Sequence, residues 1–216
     1  MKGKNLFVLS LVFCVSVQFP MPYVKASSKA EEHHLRARID IAGHDKVDMK
    51  PGKASNGCHV QNIVWGNGDS NPFVITGETE DLPLKKWRTF TFSFYPQESG
   101  EVVINLMSNY SNPEEAPSGV INAHWIYYDS ISVKGAKLLN GNFDKIDKDK
   151  GIARDWNMSP ENLVKKTTKI KTASGTYMVK AYHNARVCQT IKVKADQKVT
   201  ITFKARACGF VPAKVE

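Results

Sequence analysis

The sequence predicts an all-β protein, a β-sandwich or barrel, on three observations. Short runs of alternating apolar and polar residues recur along the chain, polar turn clusters separate them, and the 3.6-residue period of an amphipathic helix is almost nowhere found. Taken in order, the clearest runs are Leu35-Arg36-Ala37-Arg38-Ile39-Asp40-Ile41, Phe90-Thr91-Phe92-Ser93-Phe94, Val102-Val103-Ile104-Asn105-Leu106, Gln189 to Val193 and Val199-Thr200-Ile201-Thr202-Phe203. A period of two sends successive side chains to opposite faces, so each run predicts a strand with one buried face. Turn chemistry rich in Gly, Asn, Asp, Ser and Pro breaks the runs at Trp65 to Pro72, Gln97 to Gly100 and Ser111 to Gly119. Ala195-Asp196-Gln197 predicts a hairpin between the last two runs. The basic segment Lys165 to Lys171 predicts one more strand, with Lys165, Lys169 and Lys171 on an exposed face opposite Ile170.

Composition bounds what such a chain can be. With 216 residues, 42% hydrophobic and 24% charged, it has the length of one large β domain or two small ones. That balance excludes wholesale disorder and a multi-span membrane protein. Lys2 and Lys4 precede an apolar run from Leu6 to Phe19, too short to span a bilayer, and Val24-Lys25-Ala26 has the small residues of a cleavage site. Residues 1–26 therefore read as a secretory signal peptide, and the mature chain as 27–216 with no membrane span. Such a chain is secreted, periplasmic or displayed at the cell surface. Phe13 before Cys14 argues against a lipoprotein cleavage site.

Loss of the leader removes three of the 30 basic side chains and none of the 21 acidic ones, so the net charge falls from +9 to about +6. The remainder is uneven: about −4 over residues 27–135 and about +10 over 136–216. The halves complement each other, so the basic excess argues for internal pairing before it argues for an anionic partner, and no nucleic acid is expected. Cys58, Cys188 and Cys208 are an odd set that permits at most one internal disulfide, and no CxxC or Cys/His cluster suggests zinc.

Several segments carry a resemblance. Leu138-Leu139-Asn140-Gly141-Asn142-Phe143-Asp144, Asp155-Trp156, Gly175 to Lys180, Cys188 to Val193 and Lys198 to Ala207 follow one another in a fixed spacing. Ahead of them stand Trp87 to Phe92, Glu101 to Leu106 and Ile126-Tyr127-Tyr128-Asp129-Ser130-Ile131-Ser132-Val133. The first set resembles the opening half of CenC-type carbohydrate-binding modules, and the second resembles their closing half. The resemblance implies a jelly-roll β-sandwich of the galactose-binding-like kind, its halves in swapped order. The closing-half motifs occupy 34–135 and the opening-half motifs 136–207. One circularly permuted domain over 27–216 is the expected arrangement, because two separate half-cores would expose apolar sheet faces. A remnant of a tandem array is the other.

The same resemblance implies a structural Ca²⁺ held by Asp129 and Asp144, since carboxylate and carbonyl oxygens suit that hard cation. Ser130 stands where the family has a second acid, and the plain alternative is two aspartates facing water. Sugar binding calls for aromatics that stack on a pyranose ring, flanked by polar side chains. Candidates are Trp65, with His59, Asn67 and Asp69 nearby, together with Tyr95 and Tyr127. Trp125 shares a strand face with Tyr127, and His124 with Tyr128, so one of these faces is core. Trp87, Phe92 and Trp156 are expected in the core. Tyr182, His183 and Arg186 lie in a turn within reach of the same ligand or of solvent alone.

No GxSxG, HExxH or phosphate-binding glycine loop occurs, and nothing in the spacing sets two carboxylates across a cleft. The expected function is therefore non-catalytic recognition of a poly- or oligosaccharide. A structural or adhesive surface protein is the alternative, and a polysaccharide lyase or hydrolase of the same fold a weaker one.

Overall fold

Each alternating run becomes a strand, and the apolar half of each run becomes core. The computed structural model describes residues 35–64, 68–84, 86–109, 120–183 and 185–212; the segment expected to be a signal peptide and the turn cluster at 111–119 fall outside them. The strands are β1 (Ala37–Gly43), β2 (Met49–Ser55), β3 (Cys58–Val64), β4 (Ser70–Thr79), β5 (Arg88–Pro96), β6 (Gly100–Ser108) and β7 (Val120–Lys134). They continue as β8 (Ile146–Asp147), β9 (Ile152–Ala153), β10 (Leu163–Lys165), β11 (Tyr177–Ala181), β12 (Val187–Val193) and β13 (Val199–Pro212). Among the described residues the only helical pieces are single 3₁₀ turns at His44–Lys46 and Pro160–Asn162.

Two antiparallel sheets pack as a jelly-roll-like sandwich, as the alternation predicts. One has five strands in the order β12-β6-β1-β4-β3 and the other six in the order β10-β11-β7-β13-β5-β2, with β8 and β9 forming a small separate ribbon. Strands from either side of residue 135 alternate within both sheets: β12 pairs with β6, while β13 lies between β7 and β5. All of these strands belong to one unit, His33–Glu216.

The layer between the sheets is built from the inward residues of each run. Ala37, Ile39 and Ile41 of β1 face Phe90, Phe92 and Phe94 of β5 and Phe203 of β13, all fully buried. Phe90 stacks on Phe203 at 5.5 Å between ring centroids, and Phe92 meets the same ring edge-on at 6.4 Å. Tyr128 crosses the sandwich from β7. Its hydroxyl accepts from the Arg38 amide at 2.9 Å and reaches the Met107 carbonyl, so a buried polar atom is satisfied by the backbone of the opposite sheet. The Tyr128 face of β7 is thus core, and Trp125 and Tyr127 lie on the outside.

Three expectations are corrected. The turn at 195–197 does not close a hairpin, because β12 and β13 belong to different sheets. The β5–β6 turn also passes between sheets, and the two crossings are tied together where Asp196 N–H donates to Pro96 O at 2.8 Å and Ala195 N–H to Ser99 Oγ at 3.0 Å. Alternation fixes which face is buried; it does not fix which sheet a strand joins. The basic run is strand only as far as Lys165, because the Thr167 hydroxyl takes the amides of Lys169 and Ile170 at 3.3 and 2.9 Å and turns the chain. Phe92 and Trp156 are core as expected, but Trp87 is half-buried on the outer side of the six-stranded sheet. Its indole N–H donates to Lys171 O at 3.3 Å. The three mature cysteines are free thiols.

Candidate functional site

The outer face of the five-stranded sheet is where polar side chains gather. Residues that alternate with the core residues of β1, β4, β6, β12 and β3 line up across it in rungs set by the strand register. One rung runs Cys188, Asn105, Asp40, Thr76, Gln61. The next, on one side, runs Thr190, Val103, Ala42, Val74, and on the other Met107, Arg38, Glu78, His59. At the usual interstrand spacing, five strands make such a rung about 19 Å long.

One hollow lies on this face and a second wraps its β12 edge. The first, of about 420 Å³, is lined by Arg38, Asp40, Asn105, His183 and Arg186 with Ala42, Ile63, Val64, Val74 and Met107 as its apolar walls. The second, of about 710 Å³, is lined by Val103 of β6, by Cys188 to Lys192 from both faces of the edge strand β12, and by Lys137, Leu139, Asp155 and Asn157 beyond that edge. Val103 of the second hollow and Asn105 of the first stand two residues apart on the same face of β6, so the hollows are neighbours there, and the pair is called the groove below. Both volumes fall in the range of small-molecule sites.

Within the groove the charges are organised before any ligand arrives. Asp40 is only 9% exposed, and its two oxygens accept from Arg38 Nε and Nη2 at 2.8 and 3.0 Å. Thr76 Oγ1 donates to the same carboxylate at 2.9 Å. Residues two apart on a strand share a face, which is what lets Arg38 and Asp40 form this fork-on-fork pair. Asn105 donates to Asp40 O at 3.3 Å, fixing its side chain beside them.

The turn between β11 and β12 brings His183 and Arg186 to the groove's rim, and Asn162 holds that turn. Asn162, 1% exposed, donates Nδ2 to Lys180 O at 2.8 Å and Ala185 O at 3.2 Å, and its Oδ1 accepts from Ser159 N at 2.9 Å. Tyr182 and Ala185 exchange backbone hydrogen bonds across the turn, and the Tyr182 ring meets Trp125 edge-on at 4.3 Å. Burial lowers the His183 pKa from its usual value, and the nearby Arg38 and Arg186 charges lower it further. Asn162→Ala strands two carbonyls and an amide. It is expected to cost about 2 kcal/mol in denaturant unfolding and to raise hydrogen exchange at Ala185.

The residues singled out in the sequence are scattered by the fold. His59 lies on the groove's face, exposed on the edge strand β3, in the rung of Arg38. Asp69 is exposed just before β4. Trp65 and Asn67 lie outside the described residues. Tyr95 and Tyr127 are on the opposite sheet. Tyr127 is 8% exposed beneath Arg206, whose guanidinium lies 4.5 Å from its ring and 5.2 Å from that of Trp87. That arrangement closes Tyr127 off and fastens the 84 and 171 loops, since Arg206 also donates to Leu84 O at 3.0 Å and Lys171 O at 3.4 Å. Arg38, Asp40 and Asn105 were missed because in sequence they are the polar half of ordinary alternating strands. Only the register across strands brings them together.

Asp129 and Asp144 do meet, on one loop. Fully buried Asp129 accepts at Oδ2 from the amides of Ala173 and Ser174, both at 2.8 Å, and at Oδ1 from Ser130 N at 2.6 Å and Ser174 Oγ at 2.9 Å. Asp144 Oδ1 accepts from Thr176 N at 2.8 Å and Tyr177 N at 3.0 Å. Between them Gly175 has φ +53°, and a Cβ there would lie 1.9 Å from Asp144 Oδ2. A carboxylate offers about four acceptor sites, and those of Asp129 are filled by N–H and O–H donors. A cation needs oxygens turned toward it, and the Asp129 carboxylate as placed here turns both of its oxygens to N–H and O–H donors. Burial raises the Asp129 pKa, with its hydrogen bonds pulling the other way. The pair is a clasp on the 173–177 loop, and among the described residues no group of three His, Cys, Asp or Glu side chains is placed to hold a metal.

What fold and face together define is an all-β sandwich with a preorganised polar groove on one sheet. Comparison with family models, with curated proteins and with solved structures finds no match for the chain. Among the described residues no helix is long and apolar enough to cross a membrane.

Proposed function

We propose that this chain is an exported, non-catalytic carbohydrate-binding protein whose ligand lies in the groove on the outer face of the five-stranded sheet. One observation carries the reading: Arg38, Asp40 and Asn105 are held in fixed orientation on a sheet face, where they line the smaller hollow beside the larger one. Sugars are recognised by such planar, multiply bonding side chains set in a partly apolar surface. Both oxygens of Asp40 are engaged by Arg38, and one also by Thr76, which suits holding a ligand more than moving a proton. The sequence resemblance to CenC-type modules points the same way. Strands from both sides of residue 135 within each sheet accord with its halves folding as one permuted domain.

The test is a glycan array followed by calorimetry on the best ligand. Saturable binding is expected, weakened about tenfold by Asn105→Ala with no change in melting temperature, the worth of one or two hydrogen bonds. A flat array together with a stable dimer in gel filtration would favour the adhesive alternative, and turnover of any polysaccharide would overturn the non-catalytic assignment.

A further inference from the structure

The two ends of the groove differ in charge, and this bears on which sugars it takes. In the smaller hollow the charged or titratable lining residues are Arg38, Asp40, His183 and Arg186. Arg38 and Asp40 neutralise each other through two hydrogen bonds. Arg186 is exposed at the rim, and among the described residues it donates one hydrogen bond, from Nε to His183 O at 3.5 Å. Among the described residues no carboxylate pairs with it. The hollow thus carries one guanidinium beyond its internal pair.

We infer that the hollow between Arg38 and Arg186 is a subsite for the carboxylate of a uronic acid unit within the bound glycan. The inference rests on the glycan-binding reading and narrows it to a substrate class. A carboxylate matches the planar fork of a guanidinium, and in a partly enclosed hollow that contact is stronger than in water. Asp40 serves this subsite indirectly: with Nε and Nη2 engaged, Arg38 is fixed in orientation and keeps Nη1 for a second acceptor. The Asn162-braced turn fixes the backbone that carries Arg186 to the hollow, while the Arg186 side chain itself stays exposed. His183 stands between the two guanidiniums in charge terms, since both act to keep it neutral. An arriving anion relieves that pressure.

The test measures binding of a galacturonic acid trisaccharide, its fully methyl-esterified form and a triglutamate peptide to the full mature chain. The free acid is expected to bind at least tenfold tighter than the ester, and the peptide at least tenfold more weakly than the free acid. Arg186→Gln is expected to abolish the preference for acid over ester. Arg186→Lys, which keeps the charge and loses the fork, is expected to retain part of it. Arg186 is exposed, so thermal melts of both variants should match the parent. Equal binding of acid and ester, or a preference that survives Arg186→Gln, overturns the uronate subsite and leaves glycan binding standing. Equal binding of triglutamate reduces the subsite to charge attraction and overturns its assignment to a sugar. Binding of neither sugar form overturns the subsite, and a flat glycan array alongside it overturns the function on which it rests.

Discussion

Replacing Asp129 with alanine is expected to lower the unfolding free energy by about 4 kcal/mol, the largest loss foreseen for a single polar side chain here. The carboxylate sits fully buried in β7 and accepts from three backbone amides, from the Ser174 hydroxyl and, at 3.4 Å, from the Ser130 hydroxyl. Alanine leaves these donors facing a site closed to water, each costing about 1–3 kcal/mol, and partial opening of the loop keeps the total below their sum. Asp129→Asn retains an oxygen for half the donors and is expected to cost about 2 kcal/mol. Denaturant unfolding gives the magnitudes. Hydrogen exchange gives the mechanism: the amides of Ala173, Ser174, Thr176 and Tyr177 should be protected in the parent and lose protection in Asp129→Ala. Because donors fill the carboxylate, neither chelator nor added Ca²⁺ should move the parent's melting temperature. A midpoint that rises with Ca²⁺ would show that the loop rearranges to present oxygens, and the clasp as described would be wrong.

The clasp also shows what the sequence made legible. The segment Asn140-Gly141-Asn142-Phe143-Asp144 stood out as a motif, and the fold gives each residue its reason. The Asn140 side chain bonds Lys145 on both backbone atoms and also Arg154 O; Gly141 O accepts from Ile131 N at 2.8 Å, where a Cβ would collide with Ile131 O. Phe143 packs on Trp156, whose indole N–H donates to Asn140 O at 3.0 Å. The knot was visible because its parts are local in sequence. The chemistry of its acid was not, since a carboxylate that binds calcium and one that binds amides look alike until the donors at 173–177 are in place. Strand faces were legible from period-two alternation, down to the buried phenylalanines of β5. Sheet membership was not, and so the β12–β13 turn read as a hairpin. The groove was least legible. Arg38, Asp40 and Asn105 come from strands whose pairing is nonlocal, and the aromatic candidates drew attention to the opposite sheet, where Tyr127 is covered by Arg206.

Asp40→Ala is expected to cost about 3 kcal/mol of stability and most of the groove's affinity, because it removes the partner that makes Arg38 tolerable where it is. The side chains of Arg38 and Asp40 are 20% and 13% exposed, so solvent screens the pair only in part. With the carboxylate gone, Arg38 keeps its charge beside Arg186, and the Thr76 hydroxyl loses its acceptor. If the cost is that of an uncompensated charge, removing the charge should recover it. Arg38→Met/Asp40→Ala is expected to regain at least half of the lost stability while still failing to bind. Losses that simply add would instead mean that Arg38 stabilises the sheet by itself. His183 supplies a local readout. Its pKa lies below the usual 6.5 because of burial and the two arginines, and Asp40 is the one neighbour that acts to raise it. A depressed histidine pKa leaves stability intact above about 6.5 and erodes it as the pH falls through the folded-state value. Asp40→Ala should push that value lower still and steepen the acid-side loss, which an NMR titration of His183 and unfolding measured between pH 7 and pH 5 would both register. A His183 titration unmoved by the substitution would separate Asp40 from the electrostatics of the hollow and leave it only the orientation of Arg38.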